Sequence, residues 1–104
     1  MAHSPGLPAP TRTSYALLTG ASQGIGAAMA KDLAARGYNV ILVARREEVL
    51  ESIAAELRSR HEVDAIALAA DLSEAADVSR VIDFMSGKEI SIIVNSAGIA
   101  SFGK

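Results

Sequence analysis

Three glycines, at positions 20, 24 and 26, fall within Thr19-Gly20-Ala21-Ser22-Gln23-Gly24-Ile25-Gly26, a spacing suited to gripping a phosphate. The apolar run Tyr15-Ala16-Leu17-Leu18 leads into it and an alanine-rich segment with helical spacing follows. The order is therefore strand, glycine turn, helix. A helix start leaves backbone N–H groups unpaired and carries partial positive charge, so an anion sits there favourably. Glycine keeps the turn tight and lets a ligand approach the backbone with no Cβ in the way. We read the stretch as a grip on the pyrophosphate of a dinucleotide, with G-x-x-x-G-x-G in place of the commoner G-x-G-x-x-G. Three glycines alone would equally suit a plain loop before a helix, so the remainder of the chain must decide.

Three further groups stand at the ends of apolar runs: Arg45-Arg46, Asp71-Leu72 and Asn95-Ser96-Ala97-Gly98. The end of the second run is where a dinucleotide site reads the ribose, and an NAD site needs a carboxylate there. Position 44 is Ala, and Arg45 follows about 25 residues after Gly20, near the ~20 expected for the ribose-reading residue. A carboxylate would repel a 2′-phosphate, whereas a guanidinium binds it through paired, charge-assisted hydrogen bonds. Arg45 and Arg46 therefore point to NADP(H). If merely solvated at a helix start, both would oppose the helix dipole. Asp71 could also serve as a turn or capping residue, and Ser22 as a local loop cap. Asn95, polar at the inner end of a buried strand, must find partners.

Taken together these residues resemble the classical branch of the short-chain dehydrogenases/reductases. Thr19–Gly26 is similar to that family's TGxxxGxG motif, Asp71-Leu72 to its D-[hydrophobic] element and Asn95-Ser96-Ala97-Gly98 to N-N-A-G, with Ser96 replacing the second Asn. The resemblance runs from about Ser14 to Lys104. It implies that Gly20, Gly24, Ile25 and Gly26 form the pyrophosphate turn, with Ser22 and Gln23 as its polar loop residues and Ser22 toward the adenosine phosphate. It also implies that Asp71 accepts from the adenine amino group while Leu72 packs near the ring. Asn95 would tie the central strands together beside the adenosine ribose, and Ala97 and Gly98 would leave room for the cofactor. The implied fold is α/β, a Rossmann-like three-layer doubly wound parallel sheet, here partial, with four strands and three helices.

The implied activity is hydride transfer between nicotinamide and a carbonyl or alcohol substrate, but the family's Tyr-x-x-x-Lys pair is not found. Four residues after Tyr15 stands Thr19, and four after Tyr38 stands Leu42. The resemblance puts that pair beyond the fourth strand, past Lys104. No residue is assigned as catalytic, and the chain reads as the N-terminal half of an oxidoreductase, inactive alone and a homo-oligomer when full length. The alternatives are a non-catalytic dinucleotide-binding or sensing module, and an interaction subunit whose exposed sheet edge another chain completes. Phe102, within Ser101-Phe102-Gly103, could approach the nicotinamide or simply pack in its loop.

The elements that must position these groups follow from periodicity. Strands are expected at Tyr15–Thr19, Tyr38–Ala44, Val63–Ala69 and Ile90–Val94. The first helix, with Ile25, Met29 and Leu33 as its buried stripe and Met29 in the core, should end at Gly37. The second spans Arg46–Arg60 on Val49, Leu50, Ile53 and Leu57, with Glu47, Glu48, Glu51, Glu56 and Arg58 solvated. Val78, Val81, Ile82 and Met85 mark the third, with Ser73 as its N-cap and Gly87 at its end. Continuous apolarity at Val40-Ile41-Leu42-Val43 marks a strand covered on both faces, as in a parallel sheet. Strands alternating with helices give a parallel sheet, and right-handed crossovers give the order 3-2-1-4. The first and fourth strands then flank the crevice where such sheets bind ligands.

Composition sets the outer bounds. The chain has 104 residues, a net charge of −2, no Cys and half its residues apolar. That fits one small domain at 14–104 behind a flexible or extended lead-in at 1–13, which holds all three prolines. His3 and His61 read as solvated. Absence of Cys excludes a disulfide scaffold and thiolate metal sites and fits a reducing, cytoplasmic setting. Neither nucleic acid nor a membrane is suggested by the charge balance or by any apolar run. A signal peptide is disfavoured because Gly20, Ser22, Gln23, Gly24 and Gly26 interrupt its would-be apolar core.

Overall fold

The computed structural model describes residues 8–22 and 24–95. In chain order the elements are β1 (Ser14–Thr19), α1 (Gly24–Ala35), β2 (Asn39–Ala44), α2 (Glu47–His61), β3 (Ala65–Ala69), α3 (Ala75–Ser86) and β4 (Glu89–Asn95). All pairings are parallel and the sheet order is β3-β2-β1-β4, as the crossover argument requires. The two faces of the sheet carry separate cores. Ala16, Leu18, Val40 and Leu42 pack with Ala30, Leu33 and Ala34 of α1 and Leu50, Ala54 and Leu57 of α2. Leu17, Ile41 and Val43 pack with Val81 of α3, flanked by Phe84 and Met85. Val40 through Val43 are fully buried, the double coverage their unbroken apolarity implied.

The first helix lies on a different face from the one expected. Gly26, Ala30, Leu33 and Ala34 are buried, whereas Ile25 is 73% and Met29 38% exposed. Only Leu33 of the Ile25–Met29–Leu33 stripe enters the core, and Met29 is not a core residue. Small side chains let a helix lie close to a sheet, so the glycine and alanines turn inward and the large ones are displaced outward. Ile82, expected in the stripe of α3, is likewise 57% exposed. Ser73 is not the cap of α3; Glu74 holds that position, without a side-chain capping bond.

Helix ends follow simple chemistry. Gly37, at φ +98°, closes α1 as expected, with Gly37 N–H on Ala34 O and Tyr38 N–H on Leu33 O, both 3.0 Å. Helix α2 places Glu47 and Glu48 in its first turn and Arg58, Arg60 and His61 in its last, which complements its dipole. Arg58 does more than face water, since its Nη1 donates to Ala65 O at 2.7 Å and so secures the start of the edge strand β3.

Polar bonds close the N-terminal end of the sheet. Asn39 Nδ2 donates to the carbonyls of Thr11, Arg12 and Ser14 at 3.3, 3.0 and 3.2 Å, and its Oδ1 accepts from Asp64 N–H at 2.9 Å. The fully buried Tyr38 donates its hydroxyl to Pro8 O. Residues 8–13 therefore run along this end, where the sequence offered no period to read. At the other side, β4 pairs with β1 alone among the described residues, with a register shift at Tyr15/Ala16. Ile93 on β4 is 60% exposed. No described helix is long and apolar enough to cross a membrane.

Candidate nucleotide site at the C-terminal edge of the sheet

The C-terminal ends of β1 and β4 meet. Thr19 and Asn95 are register partners, and Thr19 Oγ1 donates to Asn95 Oδ1 at 2.8 Å. The side chains at the two strand tips are thus fastened to each other. Beyond Thr19 the chain turns at Gly20, φ +64°, and the buried Ala21 donates its N–H to Val43 O at 3.2 Å. Ser22 follows, half-buried in the turn. Gly24, φ +60°, begins α1, and a Cβ built there meets nothing within 4 Å. The first turn of α1 carries no acidic side chain, so no carboxylate of its own answers its positive end. Ile25 is exposed beside this helix start, and Gly26 is buried one residue on, against the sheet. Gln23, Ser96, Ala97, Gly98 and Phe102 lie outside the described residues.

Arg45 and Arg46 follow β2 and are exposed, Arg46 as the N-cap of α2. Neither guanidinium hydrogen-bonds or pairs with a carboxylate among the described residues, although Glu47 and Glu48 are adjacent. Ala70 N–H on Ala44 O, at 2.8 Å, carries the pairing of β2 and β3 past the strand ends. Asp71 and the exposed Leu72 are thereby brought beside the arginines. The Asp71 carboxyl is held below the usual carboxylate range, mainly by the hydroxyl of Ser73 at 2.7 Å, then by the Ser73 N–H at 3.0 Å. The positive charge of Arg45 lowers it further.

The glycine turn, Asn95, the arginines and Asp71 therefore share one edge of the sheet. Asn95 is exposed at the tip of a partly buried β4, not enclosed in a buried strand as expected, and it still bonds Thr19. Two contacts have no counterpart in the sequence pattern, that of Thr19 with Asn95 and that of Asp77. Asp77, in the first turn of α3, accepts the Asp71 N–H at Oδ2, 2.7 Å away; its one signal was an acidic residue opening a helix. Among the described residues no group of three His, Cys, Asp or Glu could hold a metal ion.

The family model described as short chain dehydrogenase matches residues 14–104. The chain belongs to that family. Among its relatives is the very-long-chain 3-oxoacyl-CoA reductase of Pyrenophora tritici-repentis, 38% identical over 93 residues, which span 86% of this chain and 27% of that protein. A short-chain dehydrogenase from Sphingobium yanoikuyae, solved in complex with NADPH, superposes at a TM-score of 0.78 with 43% identity over 82% of this chain and 34% of that one. The L-sorbose reductase of Gluconobacter frateurii, solved with NADPH and L-sorbose, gives 0.69 at 29% identity, covering 76% and 30%. The chain thus spans 27–34% of the length of these three relatives.

Proposed function

We propose that this chain supplies the adenosine and pyrophosphate side of an NADP(H) site in a short-chain oxidoreductase acting on a carbonyl or alcohol substrate. The observation that carries the reading is the tip of β2. Its last residue is Ala44 rather than a carboxylate, and among the described residues the guanidinium groups of Arg45 and Arg46 that follow make no hydrogen bond or salt bridge, with only the Arg45 charge acting on Asp71. The residues fit the cofactor: Gly24 leaves open the space that a Cβ would fill, and the bare helix start suits the diphosphate. Arg45 would hold the 2′-phosphate with Arg46 beside it, Asp71 would accept from the adenine amine, and Asn95, fixed by Thr19, would border the ribose. When bound, the cofactor supplies the hydride, and the residues described here bind and orient it. Solved relatives that hold NADPH support the choice of dinucleotide.

Titration of NADPH and NADH into wild type and Arg45→Ala tests this. A charge-assisted bond to phosphate contributes ~1.5–3 kcal/mol, so wild type should prefer NADPH about tenfold or more and the variant should lose most of that preference. Equal affinities in wild type would overturn the assignment.

A further inference from the structure

The loop between β3 and α3 is gripped by two side chains of the helix that follows it. Arg80 Nη2 donates to the carbonyl of Ala69, the last residue of β3, at 2.7 Å, and lies 3.4 Å from Asp77 Oδ1. The other oxygen of Asp77 accepts the Asp71 N–H. Asp71 O accepts the Glu74 N–H at 2.9 Å, and Asp71 Oδ1 takes both donors of Ser73. The loop is thus fixed at residues 69, 71, 73 and 74. Among the described residues no donor reaches Asp71 Oδ2, and Leu72 beside it is exposed. One acceptor and one exposed apolar side chain remain on a loop held at those four positions.

We propose that Asp77 and Arg80 are positioning residues that preorganise Asp71 and Leu72 for the adenine ring. The proposal rests on the NADP(H) reading above. A carboxylate on a loose loop must be ordered when the ligand arrives, and that cost is subtracted from affinity. Here the helix has already met it. Neither residue touches the ligand. Removing the clamp should therefore weaken the adenosine half of the cofactor and leave the diphosphate grip at the glycine turn alone.

Wild type, Asp77→Ala, Asp77→Asn and Arg80→Met are titrated with 2′,5′-ADP and with inorganic pyrophosphate, and each is melted without ligand. Asp77→Ala should weaken 2′,5′-ADP about five- to tenfold and leave pyrophosphate within about twofold. Asp77→Asn keeps an acceptor for the Asp71 N–H and should recover most of the loss. Unchanged 2′,5′-ADP binding in Asp77→Ala, or an equal fall for both ligands, would overturn the positioning role. If Asp77→Ala does not fold, Arg80→Met decides by the same comparison, since it frees Ala69 but keeps the Asp77 bond. A folded wild type that ignores both ligands at millimolar concentration would instead remove the cofactor reading, and this proposal with it.

Discussion

Two glycines with positive φ, one at each end of the sheet, separate what the fold needs from what a ligand needs. Gly24 has φ +60° and Gly37 φ +98°. Alanine in the left-handed region costs about 1–2 kcal/mol, offset by about 0.4–1 kcal/mol from a less disordered unfolded chain. A Cβ at Gly24 touches nothing, so Gly24→Ala should lose no more than about 1.5 kcal/mol, or about 10 °C in melting temperature. At Gly37 the Cβ would lie 3.7 Å from Pro10 Cγ, an ordinary contact, but φ sits well outside the left-handed minimum. Gly37→Ala should therefore cost the fold more. Affinity should show the reverse order. On the proposed reading a methyl at Gly24 would occupy the space through which the diphosphate reaches the backbone, so NADPH binding should fall at least about tenfold, ~1.4 kcal/mol. Gly37→Ala, at the far end of the sheet, should bind as wild type does. Melting curves and NADPH titrations on both variants suffice. A folded Gly24→Ala that binds NADPH within twofold of wild type would refute the reasoning, because no described residue approaches that space.

Two further predictions concern the N-terminal end of the sheet. Asn39→Ala removes the amide that joins residues 11–14 to Asp64 and should cost about 2 kcal/mol in denaturant unfolding, with a midpoint unchanged within error counting against that role. Tyr15 donates its hydroxyl to Asp64, and this bond, then burial, then the Asp64 charge push its pKa up to about 12. The raised value favours the neutral phenol in the folded state. Its contribution is complete below pH ~10, the unfolded value, and is lost as pH rises through about 12. Wild type should therefore lose stability more steeply than Tyr15→Phe across that window, and parallel curves would contradict the assignment.

What could be read from the sequence was whatever depends on runs and order. The unbroken Val40–Val43 run gave a doubly covered strand, alternation with helices gave the parallel sheet, and handedness gave β3-β2-β1-β4. The meeting of the glycine turn with Asn95 followed from that order. What could not be read depends on side-chain size against a close neighbour, or on polar groups that have no period. Periodicity weights large residues, so Ile25 and Met29 outvoted Gly26 and Ala30, although only the small pair fits near the sheet. Asp71 and Ser73 carry the composition of a helix cap, yet they bond each other and leave the cap to Glu74. Asn39 and Tyr38 looked like ordinary strand-start residues because their partners, Thr11, Arg12 and Pro8, sit in a proline-rich segment with no pattern.

The contrast between the two ends of the sheet is itself an argument about function. At the N-terminal end the polar groups answer one another: Asn39 bonds three carbonyls and an N–H, Tyr15 bonds Asp64, and Thr13 Oγ1 donates to Glu89 Oε1 at 3.0 Å. At the C-terminal end the bonds that form, Thr19 to Asn95 and Asp77 to Asp71, hold the scaffold. Among the described residues they leave the Arg45 and Arg46 guanidinium groups and one oxygen of Asp71 without a hydrogen bond, though the Arg45 charge acts on Asp71, and the first turn of α1 has no acidic side chain. Exposed cations at the start of α2 oppose its dipole, so helix formation alone gives no reason for them there. On the proposed reading one anion would answer these features together, with its diphosphate at the helix start, a third phosphate at Arg45 and an amine donor for Asp71. On that reading, the charges and donors of the cofactor are the complement of what the fold leaves open at this edge.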